Sequence, residues 1–237
     1  MNNFETRQAP TWCPGCGNFL VLAALKKAFG ELKLSPQEIV VTYDIGCAAN
    51  MVNNLNVCGF ATLHGRSIPV AVGIKMANPQ LTVIAQGGEG GIVTEGGNHL
   101  IHAARRNDQI TVVLNNNYVF ALTTGQASAA TPKGIKTKST PEGSPHEPLS
   151  AIDLAGAAGG TFLARTLASD LTKTTGILKE AINHQGFSLV EIIQPCIIWT
   201  KELAGRKPVG QEWIKRPFQN PKEFLGKNDL LGVLYKK

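Results

Sequence analysis

Apolar runs rich in branched residues alternate with helical segments along this chain, and that alternation limits the folds it can adopt. Four runs are typical of buried strands: 38–43, 81–85, 109–114 and 187–193. Helical patterns cover 18–32, 68–77, 96–106, 151–158 and 169–184, with a further short strand around Phe162. Strands that alternate with helices build a parallel sheet covered on both sides. The sequence therefore predicts an α/β fold with a mostly parallel, open sheet and helices on both faces.

Glycines, amides and thiols follow the predicted strands in a consistent way. Residues 44–47 come after the first strand, 87–91 after the second, 115–117 after the third and 194–196 after the last. In open α/β sheets, ligands bind outside the carboxyl ends of the strands. The sequence therefore predicts that these four segments share one functional edge. The Gly-, Pro- and Ser-rich stretch 123–150 is predicted to be a functional loop that covers it.

Composition excludes several classes of protein. With 237 residues, of which 43% are hydrophobic and 17% charged, the chain can bury a substantial core. It shows no basic-then-apolar leader and no apolar run of about 18 residues, so we expect a cytoplasmic protein with no membrane partner. The net charge of +6 is moderate and its lysines and arginines are scattered, so no nucleic-acid partner is predicted.

Four of the five cysteines lie beside glycine or proline at the ends of predicted elements: Cys13, Cys16, Cys47 and Cys196. A Cys-x-x-Cys pair with two distant single cysteines can supply four thiolates to an iron–sulfur cluster. A redox-active pair and a structural zinc site are the alternatives. Structural zinc usually draws on two Cys-x-x-Cys pairs, so the pattern favours the cluster. Cys58 lies outside the glycine-rich loops, and we predict that it packs.

Glu89 stands among glycines, and Asn116 and Asn117 follow the next predicted strand. A carboxylate, an amide oxygen and closely approaching backbone N–H groups are what a diphosphate bound through Mg²⁺ requires. The alternative is that these glycine and asparagine clusters are ordinary turns. His64, which precedes a predicted helix, could likewise either bind phosphate or cap that helix.

Several of these motifs occur together in a recognisable order. They are WCPGCG at 12–17, DIGC at 44–47, TLHGR at 62–66, GGEGG at 87–91, GGNH at 96–99, RRN at 105–107 and TTGQ at 123–126. The set resembles the thiamine-diphosphate-binding beta subunit of 2-oxoacid:ferredoxin oxidoreductases. The resemblance covers residues 8–200 and implies a thiamine-diphosphate-binding domain at 1–200 that includes an iron–sulfur site. Residues 201–237 are predicted to form a C-terminal arm that lies on the body or on a partner.

The resemblance also implies roles for individual residues. It implies that the four cysteines hold one [4Fe-4S] cluster, and that three groups coordinate Mg²⁺ on the diphosphate: Glu89, Asn117 and the backbone carbonyl of Val119. The residues implied to line the thiamine are Ile45, Gly46, Cys47, Ala48, His64, Gly90, Gly91, Ala121 and Leu122. Glu89 stands where the family usually carries the shorter aspartate.

An activity follows from the same resemblance. Such enzymes decarboxylate a 2-oxoacid, here 2-oxoglutarate or pyruvate, transfer the acyl group to coenzyme A and pass electrons to ferredoxin. An alpha subunit, in a heterodimer or heterotetramer, supplies the glutamate that activates the cofactor, so no catalytic residue is assigned to this chain and the chain alone is predicted to be inactive. The alternatives are a divergent, non-catalytic subunit that retains fold and cluster, and a non-redox decarboxylase, which would not need the four cysteines.

Overall fold

The computed structural model describes residues 4–204 and 212–237. Its strands are β1 Ile39–Tyr43, β2 Cys58–Ala61, β3 Thr82–Gly88, β4 Thr111–Asn116, β5 Val119–Phe120, β6 Gln126–Ala127, β7 Phe162–Leu167, β8 Ser188–Ile193, β9 Glu212–Trp213 and β10 Leu230–Lys236. Its helices are α1 Asn18–Glu31, α2 Ser67–Ala77, α3 Gly97–Arg106, α4 Ala151–Ala157, α5 Leu171–Asn183 and α6 Lys201–Ala204. In the part of the chain described, no helix is long and apolar enough to cross a bilayer.

Eight strands form one sheet in the order β2-β1-β3-β4-β8-β7-β10-β9. The six strands from β2 to β7 in that order run parallel. At the other end β10 pairs antiparallel with β7, and β9 pairs parallel with β10. The chain runs outward from β1 to β2 and then crosses over to place β3 on the other side of β1. The direction of strand addition therefore reverses between β1 and β3, which is where an open α/β sheet offers a crevice.

Helices cover both faces of the sheet, as the alternation of strands and helices predicts. Helices α1 and α5 contribute to one buried cluster, whereas α2, α3 and α4 contribute to the other. Strand β3 shows why the sheet has two apolar faces, since Ile84 belongs to the first cluster and its neighbours Val83 and Ala85 belong to the second. The predicted α/β class with a mostly parallel sheet is confirmed.

The arm predicted at 201–237 is described only in part, because residues 205–211 lie outside the described residues. Of the remainder, β10 lies on the body by pairing with β7, with Val233 opposite Ala164. Trp213 lies under the Lys173 ammonium group, 3.6 Å from the centroid of the ring, which ties β9 to α5. The division into a domain at 1–200 and an arm at 201–237 stays a prediction.

Candidate functional site

The carboxyl ends of β1, β3, β4 and β8 meet at one edge of the sheet because these strands are parallel and adjacent. The glycine-rich segment after β3 continues as a turn of π-helix, Gly90–Glu95, directly before α3. Such turns are rare and occur often at functional sites. The four segments that carry glycines, amides and thiols therefore share one edge of the sheet. This edge lies beside the point where the direction of strand addition reverses, between β1 and β3.

A cavity of about 60 Å³ opens at this edge. All nine residues predicted to contact the thiamine line it: Ile45, Gly46, Cys47, Ala48, His64, Gly90, Gly91, Ala121 and Leu122. Glu89, Asn117 and Val119, predicted as Mg²⁺ ligands, line it as well, together with Phe120. A Cβ on Gly90 would overlap the Phe120 ring, so only glycine leaves room for the backbone there.

Glu89 and Asn117 are in contact at this cavity. One Glu89 oxygen, Oε2, accepts a hydrogen bond from the Asn117 backbone N–H at 3.2 Å. The other, Oε1, accepts one from the Ser128 hydroxyl at 3.0 Å. The Asn117 side-chain oxygen accepts the Val119 N–H at 3.1 Å, which directs it across the turn that begins β5. A carboxylate and an amide oxygen are thus held within one small cavity.

The electrostatic environment of Glu89 leaves its negative charge poorly compensated. The residue is 1% exposed. Burial raises the pKa of its carboxyl to about 7, even though hydrogen bonds from the backbone and from Ser128 act to lower it. Its described hydrogen-bond partners are a backbone amide and a hydroxyl, both neutral. A buried carboxylate of this kind is expected to be paired or to coordinate a metal. The donor set therefore fits a divalent cation.

Titration of Glu89 should make the metal-free chain less stable as pH rises from about 4.5 to about 7. In that window the folded carboxyl keeps its proton whereas the unfolded one has lost it, so stability falls with rising pH. One pKa unit corresponds to about 1.36 kcal/mol. We expect the stability of Glu89→Gln, relative to the natural chain, to be about 2 to 3 kcal/mol higher at pH 8 than at pH 5. Urea unfolding with EDTA measures this, and a difference independent of pH would contradict it.

Asp44 organises the loops around the cavity, a role that sequence reasoning did not assign to it. Its carboxylate is fully buried and accepts hydrogen bonds from the backbone N–H groups of Ile45 at 2.8 Å and Gly65 at 3.0 Å, and from the Ser67 hydroxyl at 3.1 Å. These bonds join the end of β1 to the turn before α2. Gly91 also lies against this carboxylate, where a Cβ would overlap it.

His64 lines the cavity and does not cap the helix that follows. Helix α2 begins at Ser67, has Arg66 at its N-cap position and has no side-chain cap. The His64 ring lies 5.9 Å from the Phe120 ring, centroid to centroid. Its Nδ1 atom lies 3.6 Å from Asp44 Oδ1, beyond hydrogen-bond distance, and has no hydrogen-bond partner among the residues described. The His64 ring therefore lies near both the Asp44 carboxylate and Phe120 where it lines the cavity.

The four singled-out cysteines, Cys13, Cys16, Cys47 and Cys196, line a second cavity of about 220 Å³. Burial, with a smaller contribution from the neighbouring thiols, raises the pKa of Cys47 to about 11. Burial also raises the pKa of Cys16, with Cys196 and Cys13 contributing. No three His, Cys, Asp or Glu side chains in residues 4–204 and 212–237 group tightly enough to hold one ion. Four thiols from three separate segments of the chain thus line one cavity.

Backbone contacts fix the positions of these thiols. The Cys16 N–H donates to the Cys13 carbonyl at 3.0 Å, which closes the turn before α1. The Trp12 indole donates to the Cys47 carbonyl at 2.7 Å and so attaches this turn to the segment after β1. The Trp199 backbone N–H donates to the Cys196 sulfur at 3.4 Å. Cys58 is exposed on the edge strand β2, so the prediction that it packs is wrong.

The two cavities share a wall. Four residues line both of them: Cys47, Asn117, Ala121 and Leu122. Cys47 follows β1, whereas Asn117 follows β4, the neighbour of β8 in the sheet. Whatever occupies the cysteine cavity therefore lies next to whatever occupies the cavity around Glu89.

The stretch 123–150 covers this edge of the sheet, as predicted. Ser128 reaches from it to Glu89, a contact for which the sequence offers no signal. Gly125 lies against Trp199, where a Cβ would come within 2.8 Å of the indole ring. The Lys138 ammonium group stands 4.6 Å from the centroid of the same ring. The stretch thereby contacts both the Glu89 cavity and the segment that carries Cys196.

Comparison with known proteins agrees with this geometry. Residues 44–192 match the family model "Thiamine pyrophosphate enzyme, C-terminal TPP binding domain". Subunit beta of 2-oxoacid:ferredoxin oxidoreductase 1 from Aeropyrum pernix is 44% identical over 197 residues, which are 83% of this chain and 62% of that protein. The 2-oxoglutarate synthase subunit KorB from Archaeoglobus fulgidus is 40% identical over 193 residues, 81% of this chain and 72% of that protein.

A solved structure is similar over nearly the whole chain. It is a 2-oxoglutarate:ferredoxin oxidoreductase from Magnetococcus marinus with 2-oxoglutarate, coenzyme A and succinyl-CoA bound, and it matches with a TM-score of 0.95 and 30% identity, covering 99% of this chain and 84% of that one. The chain spans about three fifths of the length of the first curated relatives that it matches. Its fold, its thiamine pyrophosphate-binding domain and these relatives together make the chain a member of the family of 2-oxoacid:ferredoxin oxidoreductase beta subunits.

Proposed function

We propose that this chain is the cofactor-binding subunit of an enzyme that oxidises a 2-oxoacid with ferredoxin as electron acceptor. The net reaction converts a 2-oxoacid, coenzyme A and two oxidised ferredoxins into acyl-CoA, CO₂, one proton and two reduced ferredoxins. The observation that carries the proposal is the shared wall, because a thiamine-type cavity and a four-cysteine cavity meet at Cys47. Such a reaction requires an electron acceptor beside the carbon that is oxidised.

Glu89, Asn117 and the Val119 carbonyl would hold Mg²⁺, which binds the diphosphate of thiamine diphosphate. Mg²⁺ takes hard oxygen ligands in near-octahedral geometry, and three protein oxygens leave positions for two phosphate oxygens and a water. The raised pKa of Glu89, caused by burial, supports a cation at this place.

Cys13, Cys16, Cys47 and Cys196 would hold one [4Fe-4S] cluster. A single zinc ion with Zn–S bonds of about 2.3 Å would hold four sulfurs about 3.8 Å apart. A cavity of about 220 Å³ lined by four thiols has room for a larger group, such as a cluster of several iron and sulfide atoms. The Trp199 N–H directed at the Cys196 sulfur is the kind of hydrogen bond that tunes cluster potentials.

When bound, thiamine diphosphate supplies an electron sink for decarboxylation and the cluster accepts single electrons. The chain itself orients these groups. The Asp44 hydrogen bonds hold together the segments 44–48 and 64–67, which line one side of the cavity. Cys47 and Ala121 line both cavities and would stand between the two groups, so residues of this chain would set their separation.

A partner subunit would complete the site. Pockets for small ligands usually measure about 300–1,000 Å³, whereas the cavity around Glu89 measures about 60 Å³. Its rim carries apolar side chains that are open to solvent, with Ile45 43% and Leu122 50% exposed. We propose that an alpha subunit covers this rim, contributes the activating glutamate and completes a heterodimer or heterotetramer. The cytoplasmic location expected from the sequence stays a prediction.

Among substrates, the relatives favour 2-oxoglutarate over pyruvate, with coenzyme A as acyl acceptor. The Magnetococcus marinus structure has 2-oxoglutarate, coenzyme A and succinyl-CoA bound, and the Archaeoglobus fulgidus relative is a 2-oxoglutarate synthase subunit.

Co-purification with the native partner, followed by a panel of 2-oxoacids, tests this function. We expect 2-oxoglutarate to reduce a viologen dye only when coenzyme A, thiamine diphosphate and Mg²⁺ are present. The chain alone should give less than about 1% of that rate, because half of the pocket is missing. Decarboxylation by the single chain would contradict the need for a partner. A complex that binds both groups and turns over none of the acids would support the non-catalytic alternative instead.

A further inference from the structure

The turn that carries Asn117 has a backbone conformation that its residues do not favour on their own. Tyr118 has a φ of +68°, in the left-handed region that bulky residues rarely adopt. Its N–H donates to the Asn116 side-chain oxygen at 3.0 Å. A strained residue persists where the surrounding structure determines its conformation, and such residues are common at functional sites. Groups outside the turn must therefore hold it in this conformation.

A buried network of hydrogen-bonded side chains reaches the turn from the neighbouring strands. Arg165 on β7 donates through Nε to Glu191 Oε2 on β8 at 2.6 Å. The other oxygen of Glu191, Oε1, accepts from the Asn116 amide nitrogen at 2.8 Å. Both charged side chains are 4% exposed. The guanidinium also donates to the Lys227 carbonyl at 3.3 Å, which fixes its other end.

Each contact in this network fixes the orientation of the next side chain. Since Glu191 is held by Arg165, its free oxygen meets the Asn116 NH₂ group and forces the Asn116 oxygen toward the Tyr118 N–H. That arrangement places the next residue, Asn117, with its N–H 3.2 Å from Glu89 Oε2 and its side-chain oxygen on Val119 N–H. A buried ion pair is weak evidence for stability, because desolvation offsets its attraction. A role in positioning accounts for this one better.

We propose that Arg165 and Glu191 are positioning residues for the Mg²⁺–diphosphate site, acting through Asn116. This inference rests on the proposed function, since it concerns the metal that Glu89 and Asn117 would share. Neither Arg165 nor Glu191 lines the cavity around Glu89. They act on the geometry of Asn117 from behind the turn, as groups outside a metal's ligand shell do elsewhere.

Glu191→Gln in the full chain, assembled with its partner subunit, tests the proposal. A glutamine cannot accept from both Arg165 and Asn116 with the same strength, so one orientation is lost. The measurement is the Mg²⁺ concentration that gives half-maximal binding of thiamine diphosphate. We expect it to rise about 10- to 100-fold, while binding at saturating Mg²⁺ is restored. A purely structural role would lower the amount of folded protein without changing this concentration.

Two further variants keep the test decisive. Arg165→Met combined with Glu191→Gln removes the charge that Glu191→Gln leaves unpaired, so the double variant should fold and should recover part of the Mg²⁺ affinity. Thr166→Val, next to Arg165 on β7, breaks a different buried hydrogen bond, to Thr174 at 2.9 Å, and should leave the Mg²⁺ requirement unchanged.

The outcomes separate this inference from the function on which it rests. If Glu89→Gln abolishes Mg²⁺-dependent binding but Glu191→Gln and the double variant shift the Mg²⁺ requirement less than about threefold, the positioning role is refuted and the metal site stands. If the natural complex binds thiamine diphosphate equally well with and without Mg²⁺, both are refuted.

Discussion

The Glu89→Gln variant is expected to bind thiamine diphosphate about a hundredfold more weakly than the natural chain at the same Mg²⁺ concentration. The substitution keeps the size of the side chain but removes the only anionic group that we assign to the metal. Mg²⁺ selects charged, hard oxygen ligands, and a neutral amide compensates poorly for a lost carboxylate. Calorimetric titration of the assembled complex with thiamine diphosphate, at fixed Mg²⁺, measures the effect.

Glu95→Gln is the matched control for this experiment. Glu95 ends the same π-helical turn, Gly90–Glu95, but its side chain is exposed. The same chemical change there should leave the affinity within about twofold, as is usual for exposed substitutions. Equal affinity in Glu89→Gln and the natural chain would mean that Glu89 is no metal ligand.

The Cys196→Ser variant is expected to lose the iron–sulfur cluster and with it essentially all 2-oxoacid-dependent dye reduction. Cys196 is the one of the four cysteines that follows β8, and the Trp199 backbone N–H is directed at its sulfur. Serine retains the size and a hydrogen-bonding atom but offers iron a harder, poorer ligand than thiolate. Visible absorbance and iron content measure cluster loss separately from activity.

Cys58→Ser provides the control for that variant. Cys58 is a free cysteine on the exposed strand β2 and does not line the cavity formed by the other four. Its replacement should leave iron content and turnover unchanged. A chain that keeps its full iron content after Cys196→Ser would contradict our assignment of the fourth ligand.

The edge of the sheet that carries the site could be predicted because it depends on local signals. Each functional segment follows a strand of buried branched residues, and parallel strands bring their carboxyl ends together. For that reason Cys47 and Cys196, far apart in sequence, were expected to meet and do line one cavity. The resemblance added predictions for individual residues, and all nine residues that it implied for thiamine line the cavity around Glu89.

Other features could not be predicted because they depend on distant partners. Strand β2 has only four residues, all exposed, and lacks the branched residues that mark the buried strands. Strand β10 pairs antiparallel with β7, and nothing in its own sequence specifies that partner. Ser128 is one hydroxyl among many in a long loop. Asp44 was noticed only as part of a motif, and its hydrogen bonds emerge once α2 packs beside β1.

A pair of opposite charges inside two buried strands was a sequence signal that the predictions did not use. Arg165 and Glu191 each interrupt a strand that is otherwise buried, and charged residues are almost never buried without a partner. Two opposite charges in neighbouring positions of the predicted sheet could have been paired from the sequence, and β7 and β8 do place them opposite each other. The pair then points to Asn116 and to the turn that it holds.

Iron and acid-labile sulfide, measured on the complex purified without oxygen, test most directly whether the four thiols form a cluster site beside the thiamine cavity. The proposed site predicts about four of each per chain, as one [4Fe-4S] cluster requires, with visible absorbance that dithionite bleaches. About one zinc per chain without sulfide would contradict it.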